Sequence, residues 1–297
     1  MIQLHHEQWK ARDVLQMKWA LKIIAKLIIA RLPVPYSFWR SLSVFRHGSM
    51  DSTDYPVKIF NLHLKRAFPD GLPSDAVMLE LGPGDSLASA LLGYASGASM
   101  TYLVDVGSFA RKDVAFYQTL AADLSNRGLQ CPDLSDALTF NDILQASNAS
   151  YLANGLSSLR MIPSESIDFV WSHSVLEHVR KDELPEVLFE LHRILKPGGL
   201  SSHNIDYQDH LAYSLNNLRF SEKLWESNFF AKSGFYTNRV PAIRLHRMLQ
   251  EAGFKILHEE FGKWDKLPVL RRTLHSDFTK FTDEELCNRT SHVLLKR

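Results

Sequence analysis

The first part of the chain carries apolar and basic positions at helical spacing. The apolar positions are Leu21, Ile24, Ile28 and Leu32, and the basic positions are Lys18, Lys22 and Lys26. Residues three or four apart share one face of a helix, so the pattern predicts a single amphipathic helix over residues 7–32. Pro33 and Pro35 end it, because proline cannot continue a helix. The apolar stripe predicts a face that packs on the domain or on a partner chain; the alternative is a basic helix in peripheral contact with an anionic membrane.

From residue 76 onward, short apolar runs alternate with segments of helical spacing. The runs that predict strands are residues 77–81, 100–106, 167–171, 200–205, 254–260 and 291–296. Helices are predicted between them, including one that continues through His178 and one over residues 185–195. This alternation predicts an α/β protein with a Rossmann-like, doubly wound, mostly parallel sheet. The last two runs have no crossover helix between them and predict an antiparallel pair. We therefore expect an N-terminal helical extension over residues 1–75 and one domain over residues 76–297.

Composition and charge narrow the classes of protein. The 297 residues include 34 Lys and Arg and 33 Asp and Glu, which gives a net charge of +1. Because the chain has no excess of positive charge, we expect no nucleic-acid partner. The two cysteines form neither a disulfide framework nor a metal-binding motif, which is typical of a reducing compartment. Charged residues interrupt the apolar stretch over residues 19–32, and the first residues do not resemble a signal peptide. The sequence predicts a cytoplasmic protein and does not indicate an oligomeric state.

A glycine-containing turn follows the first predicted strand. Gly82 and Gly84 lie between that strand and a helix, where glycine lets the backbone approach a ligand closely. Position 87 is Leu, so the turn does not complete the dinucleotide-binding pattern, and it lacks the Lys of a phosphate-binding loop. Asp105 ends the second strand, 21 residues after Gly84. A carboxylate at this place can accept hydrogen bonds from both ribose hydroxyls, so the sequence predicts a nucleoside ligand without a pyrophosphate.

These segments resemble the class I S-adenosylmethionine-dependent methyltransferases. The segments that carry the resemblance are Glu80-Leu81-Gly82-Pro83-Gly84 with Asp105, residues 168–179 with Leu176-Glu177-His178, and Leu195-Lys196-Pro197-Gly198-Gly199. The segments Phe45-Arg46-His47-Gly48 and Tyr236-Thr237-Asn238-Arg239 further resemble a bacterial subgroup encoded near polysaccharide and glycosyltransferase genes. The resemblance covers residues 76–297 and implies a seven-stranded sheet. One departure is Ser86, which stands where many members have a third glycine.

The resemblance also implies a cofactor and its ligands. The cofactor is S-adenosylmethionine, and the residues implied to bind it are Glu80, Gly82, Pro83, Gly84, Asp105, Asn154 and Ser172. Asn154, with Gly155, is the candidate for the adenine contact, and Asn141 and Asp142 are the alternatives. No residue is assigned as a metal ligand.

The candidates for catalysis follow the fourth and fifth strands, where a doubly wound sheet opens its crevice. We expect His203 to be the general base, with Asp206 orienting its imidazole, and His178 to take part. Two alternatives for the dense polar segment remain open. His203, Asp206, Asp209 and His210 could hold a divalent metal, or they could cap the next helix. If the segment is structural, the chemistry falls to Glu177 or His178.

The acceptor is expected to be a hydroxyl of a glycan or another small molecule. Strand four ends in Trp171-Ser172-His173-Ser174 rather than Asn-Pro-Pro-Tyr, which argues against methylation of an amide or an adenine amino group. One alternative acceptor is a lipid or quinone, with the N-terminal helix on the membrane. Another alternative, from a different class, is a non-catalytic nucleoside-binding protein on the same fold.

Overall fold

A computed structural model describes residues 19–28, residue 31 and residues 53–297. The helices are α1 (residues 19–28), α2 (Asp54–Ala67), α3 (Ala88–Ala95), α4 (Val114–Asn126), α5 (Phe140–Ala146), α6 (Leu156–Met161), α7 (Leu184–Ile194), α8 (Glu222–Trp225), α9 (Asn228–Ala231), α10 (Ala242–Glu251) and α11 (Asp283–Leu286). The strands are β1 (Val77–Leu81), β2 (Met100–Val104), β3 (Ala149–Leu152), β4 (Ile167–His173), β5 (Leu195–Asp206), β6 (Lys255–Lys263) and β7 (Asn288–Lys296).

The seven strands form one sheet in the order β3-β2-β1-β4-β5-β7-β6. The pairs from β3 to β5 are parallel, whereas β7 is antiparallel to both β5 and β6. The predicted Rossmann-like, mostly parallel seven-stranded sheet with its antiparallel last strands is confirmed. Strand β3, which the apolar pattern does not predict, forms the edge beside β2.

Helices cover both faces of the sheet because the strand residues alternate between two apolar cores. In β1, Leu79 and Leu81 belong to the core that includes α7, and Met78 belongs to the core that includes α3 and α4. The connection from β1 to β2 runs through α3 on one face, and that from β4 to β5 runs through α7 on the other. Neighbouring strands with connections on opposite faces open a crevice at their carboxyl ends. That crevice lies between β1 and β4.

The N-terminal helix packs with a different face from the predicted one. Within α1, Leu21, Ile24 and Ile28 are 55–59% exposed, whereas Ile23 is buried in an aromatic cluster. The ammonium of Lys22 donates to the carbonyl of Leu211 at 2.9 Å, and that of Lys26 donates to the carbonyl of Gly234 at 3.4 Å, so these two basic side chains reach back to the protein. The expectation that the Leu21, Ile24 and Ile28 stripe packs on the domain is therefore wrong, and its packing on a partner chain stays a prediction. The physical reason is that the lysine side chains satisfy backbone carbonyls there.

Parts of two predictions lie outside the described residues. They are the remainder of the 7–32 helix, including Lys18, and the Phe45–Gly48 segment. No helix in the described ranges is long and apolar enough to cross a membrane.

Two local predictions need correction. The segment after β4 that includes His178 is a turn, and the next helix starts only at Leu184. Ser174 has φ +55, a left-handed conformation that ends the strand abruptly. Strand β5 extends through Asp206, one residue beyond the predicted end, so Asp206 belongs to the strand that also contains His203.

Candidate active site

The turn after β1 packs tightly against the segment that follows β4. Gly82 and Gly84 have φ of +75 and +66, which glycine adopts without strain. A β-carbon on Gly82 would lie 2.5 Å from Cγ2 of Val175, too close for any real contact. The glycine therefore brings the carboxyl end of β1 against the turn that carries Glu177 and His178.

Asp105 follows β2 and is fixed by two backbone N–H groups. Its Oδ2 accepts from Gly84 N–H at 3.0 Å, and its Oδ1 accepts from Val106 N–H at 2.7 Å. The side chain of Val106, next in the chain, is 76% exposed. The edge of the sheet thus offers a fixed carboxylate beside an exposed apolar side chain. A nucleoside presents the complementary pair, a ribose diol and a flat base.

The segment after β3 lies beside Asp105. Gly155 N–H donates to the carbonyl of Asp105 at 2.8 Å, and a β-carbon on Gly155 would lie 3.3 Å from Cγ1 of Val106. Asn154 is exposed at this place. The alternative candidate Asp142 instead accepts from the N–H groups of Leu138 and Thr139 in a capping box at the start of α5. The geometry therefore favours Asn154 over Asp142 for a contact next to Asp105.

Glu80 adds a second carboxyl group beneath the same turn. It is buried, and its Oε2 has no hydrogen-bond partner among the described residues. Burial raises its pKa to about 8, and the charge of Asp105 raises it further, while a hydrogen bond from Ser89 lowers it. Two neighbouring carboxyl groups at a glycine turn suit a cationic ligand. S-adenosylmethionine, with its sulfonium and ammonium groups, fits this cradle.

Ser172 and His203 lie inside the sheet rather than in the crevice. Both are fully buried, and the Oγ of Ser172 is 2.7 Å from Nδ1 of His203. The other ring nitrogen, Nε2, is 2.7 Å from Oγ of Ser201. Burial lowers the pKa of His203 to about 3, so the imidazole stays neutral. A ring enclosed by two serine hydroxyls is not placed to take a proton from an acceptor, and Ser172 does not direct its hydroxyl to a cofactor.

The predicted His203–Asp206 pair does not form. The two residues are three positions apart on β5, and side chains alternate between faces, so they point to opposite sides of the sheet. Oδ1 of Asp206 accepts from the backbone N–H and the side-chain amide of Gln208, at 2.9 and 3.0 Å. The half-buried Asp206 carboxylate thus sits at the carboxyl end of β5, on the crevice edge.

Asp209 caps backbone N–H groups, as expected under the alternative in which the polar residues after β5 are structural. Its carboxylate accepts from the N–H groups of Leu211 and Ala212, and from the backbone and side-chain N–H groups of Asn216. The residue is 1% exposed. These bonds hold the loop after β5 in place, so Asp209 is structural and the four-residue metal set proposed from the sequence is not assembled.

A different polar cluster forms at this edge, from Glu177, His178 and His210. One ligand atom from each lies within 4.8 Å of the other two. The rings of His178 and His210 contact edge to face, with centroids 4.8 Å apart. The backbone N–H of Asp206 donates to Oε1 of Glu177 at 3.2 Å, which joins Asp206 to the cluster.

Glu177 is the buried member of this cluster. It is 3% exposed and, with Asp206 and Asn238, borders a cavity of about 30 Å³. Burial raises its pKa to about 8, and the charge of Asp206 acts in the same direction. Burial also lowers the pKa of His210. The cluster therefore brings a buried carboxyl group together with two imidazoles.

The 236–239 segment holds the turn that carries Glu177 and His178. Nδ1–H of His178 donates to the carbonyl of Tyr236 at 2.8 Å. The side-chain amide of Asn238 donates to the carbonyls of Leu176 and Val179, at 2.8 and 3.0 Å. Arg239 is buried with φ +59 and donates to the carbonyls of Asn217 and Phe220. This segment is thus a structural support of the site.

Sequence reasoning missed the partnership between His210 and the Glu177–His178 pair. The two histidines are 32 residues apart in the chain. Strands β4 and β5 are neighbours, and residues that follow the carboxyl ends of neighbouring parallel strands meet at one edge. Applying this rule to the residues just after the ends of β4 and β5 would have predicted that His210 lies beside Glu177 and His178.

Comparison with known proteins agrees with this architecture. Residues 92–202 match the family model described as "Methyltransferase domain". The match contains Asp105, Asn154, Glu177 and His178, and it begins after the glycine turn. No curated protein matches the chain.

Several solved structures are similar at low identity. A methyltransferase from Methanosarcina mazei is 15% identical over 77% of this chain and 95% of that chain, with a TM-score of 0.48. A methyltransferase from Archaeoglobus fulgidus is 15% identical over 89% of this chain and 100% of that chain, with a TM-score of 0.47. Phosphoethanolamine N-methyltransferase 2 of Haemonchus contortus, solved with S-adenosyl-L-methionine, is 14% identical over 80% of this chain and 52% of that chain, with a TM-score of 0.44.

The family match and the order of strands in the sheet point to the same class of protein. The match runs from the end of α3 into β5, so it includes β2, β3 and β4 and leaves out β1. Residues 92–202 thus match a methyltransferase domain, and the seven-stranded sheet has the antiparallel last strands that the resemblance to class I S-adenosylmethionine-dependent methyltransferases implies.

Proposed function

We propose that the protein transfers a methyl group from S-adenosylmethionine to a hydroxyl group of a glycan or another small molecule. The observation that carries this proposal is the placement of Asp206 and the Glu177 cluster at the carboxyl ends of β4 and β5. They lie next to the glycine turn after β1, because Val175, which precedes Glu177 in the chain, packs against Gly82 of that turn. The cofactor and the acceptor then occupy adjacent parts of one crevice.

The cofactor side of this proposal uses the residues around β1, β2 and β3. The Gly82-Pro83-Gly84 turn would hold the amino-acid part of the cofactor, and Asp105 would accept hydrogen bonds from the ribose hydroxyls. The exposed Val106 and Asn154 would hold the adenine. Glu80 places a second carboxyl group under the cationic end. The side chain of Ser172 has no role here, because it is buried against His203.

When bound, the cofactor supplies an electrophilic methyl carbon on a sulfonium. The protein has to align the acceptor oxygen with that carbon and remove the hydroxyl proton. Asp206 is the proposed proton acceptor, since it is half-buried on the crevice edge and its Oδ1 is held by Gln208. Asp206 would hold the acceptor hydroxyl and take its proton as the oxygen gains the methyl group and the cofactor leaves as a neutral thioether.

The test is a transfer assay with labelled cofactor against glycans and small alcohols. We expect label on a hydroxyl acceptor, and Asp206→Asn should lower turnover by roughly 10²–10⁴-fold with little change in cofactor affinity. Asp265→Asn, at an exposed carboxylate outside the crevice, is the matched control and should keep full turnover. Transfer to amines but not to hydroxyls would overturn the proposal.

A second acceptor class, a membrane lipid or quinone, is favoured by the outward face of α1. Leu21, Ile24 and Ile28 are more than half exposed. Beside them, the guanidinium of Arg31 lies 3.8 Å from the ring centre of Phe229, which is 52% exposed. An apolar helix face with an arginine at its end suits the interface of a bilayer.

This second candidate is tested by sedimentation with vesicles that contain anionic lipid. Changing Leu21, Ile24 and Ile28 to serine should abolish binding, while Leu257→Ser on β6 should leave it unchanged. Binding should survive high salt, because Lys22 is already bonded to a carbonyl and the attraction is mainly apolar. Vesicle binding by the serine variant would rule out this face as the contact.

A further inference from the structure

The Glu177, His178 and His210 cluster has a donor set that the methyl-transfer proposal leaves unexplained. It combines one carboxylate and two imidazoles from two segments that meet at one edge of the sheet. One ligand atom from each lies within 4.8 Å of the other two, close enough for a modest side-chain shift to bring all three onto one ion. Asp206 needs help as a base, because a carboxylate is far weaker than an alkoxide.

The ring of His178 is oriented as metal-binding histidines usually are. Its Nδ1–H donates to the backbone carbonyl of Tyr236 at 2.8 Å, which fixes the tautomer with the lone pair on Nε2. A hydrogen bond from the second ring nitrogen to a carbonyl or carboxylate is the common support of a metal-ligating histidine. The support comes from the 236–239 segment, which is itself held by Asn238.

His210 presents a buried nitrogen to the cluster. Its Nε2 has no hydrogen-bond partner among the residues that the structure describes. A neutral imidazole with an available lone pair is the form that binds a metal.

Glu177 completes the set with an unsatisfied carboxylate oxygen. The side chain is almost fully buried, its Oε1 accepts from the N–H of Asp206, and its Oε2 has no partner in the described part of the chain. Leaving a buried carboxylate oxygen unpaired costs free energy unless a proton or a cation satisfies it. The buried oxygen is a second, independent indication of a ligand at this place.

We propose that Glu177, His178 and His210 bind a divalent first-row transition metal, of the class of Zn²⁺, Mn²⁺ or Fe²⁺. Imidazole nitrogens favour these ions, whereas Mg²⁺ and Ca²⁺ prefer sites made of oxygen alone. Three protein ligands leave coordination positions open, as in catalytic rather than structural metal sites.

The function of the metal rests on the proposed hydroxyl methylation, whereas its binding does not. An acceptor oxygen at an open position would have a lowered pKa, so that a carboxylate suffices to take its proton. The hydroxyl proton then passes to Asp206, the oxygen–carbon bond forms, and the sulfur–carbon bond breaks to leave a neutral thioether.

The experiment is a titration of chelator-treated full-length protein with Co²⁺, followed by its visible absorption and by competition with Zn²⁺. We expect saturable binding, and Glu177→Gln, His178→Ala and His210→Ala should each weaken it by more than the roughly 10–100-fold typical of outer-shell residues. His258→Ala, at an exposed imidazole on β6, is the matched control and should bind normally. Glu177→Gln keeps the shape of the side chain, so it remains informative if a histidine variant fails to fold.

Cofactor binding and methyl transfer measured on the same samples separate the two proposals. Absence of saturable Co²⁺ binding, or binding that all three variants retain, would overturn the metal site. Full methyl transfer by chelator-treated protein would show that the metal has no role in catalysis, and the proposed hydroxyl methylation would stand. Metal binding without transfer to any hydroxyl would instead remove the proposed function and leave the metal site.

Discussion

Nδ1 of His178 lies 2.8 Å from the carbonyl oxygen of Tyr236, a residue 58 positions further along the chain. This bond connects the turn after β4 with the segment before α10. Asn238 adds two bonds to the same turn, through the carbonyls of Leu176 and Val179. Two sequence segments that resemble family motifs are thus parts of one structure, in which the second holds the candidate active-site residues of the first.

Asn238→Ala should loosen this support. The substitution leaves two buried carbonyls unpaired, and each such loss costs roughly 1–3 kcal/mol. We expect a lower free energy of unfolding in denaturant titrations and reduced methyl transfer at saturating cofactor. Asn126→Ala, at an exposed position at the end of α4, is the control. Wild-type stability and turnover for Asn238→Ala would show that the segment does not hold the turn.

Gly82→Ala should disturb the crevice more than Gly97→Ala. Both glycines have positive φ, +75 and +83, so both variants share a backbone cost of about 1–2 kcal/mol. Only Gly82 is crowded, because its new β-carbon would meet Val175 at 2.5 Å, whereas Gly97 has open space. Calorimetric titration should show lost cofactor affinity for Gly82→Ala alone. Adding Val175→Ala should restore part of it, and absence of any rescue would contradict the packing argument.

The buried histidines should make the fold sensitive to acid. Burial lowers the pKa of His203 and of His292 to about 3, against about 6.5 in an unfolded chain. Their contribution to stability is therefore present above pH 6.5 and is lost as the pH falls through 3. Each adds up to about 1.4 kcal/mol per pH unit in that window. Denaturant titrations at pH 7.5, 6 and 5 should show this decline, and His203→Gln should reduce its slope. An equal slope in the variant would contradict the assignment.

The buried carboxyl groups should act in the opposite direction. Burial raises the pKa of Glu80 and of Glu177 to about 8, above the 4.5 of an unfolded chain. Their contribution to stability is present below pH 4.5 and is lost as the pH rises through 8. Glu177→Gln should therefore gain stability relative to the wild type at pH 9 and not at pH 5. A pH-independent effect of Glu177→Gln would mean that this carboxyl group is not desolvated.

The sheet could be predicted because its signals are local. The glycine turn after β1 and the acid after β2 each depend on a few consecutive residues, and Asp105 lies where the pattern placed it. Strand β3 is only four residues long and half-buried, so its apolar run is too weak to stand out between two helices.

The catalytic assignment failed at the register of one strand. The predicted strand ended at residue 205, which placed Asp206 in a loop where its side chain could turn toward His203. In the structure the strand includes Asp206. Because side chains along a strand alternate between the two faces of the sheet, Asp206 and His203 point to opposite faces. The inward face of α1 was missed for a related reason. A helical wheel shows which residues share a face, but not whether lysine ammonium groups find carbonyls, as Lys22 does at Leu211.

The most direct test of the account is isothermal titration of S-adenosylmethionine into the wild type, Asp105→Ala and Asp70→Ala. Asp70 is an exposed carboxylate in the loop before β1, at the opposite edge of the sheet, and serves as the control. Loss of the ribose contacts should weaken binding by about 1.5–3 kcal/mol, or roughly 10–150-fold, in Asp105→Ala only. Equal affinity in all three proteins, or no binding to the wild type, would contradict the cofactor site described for this chain.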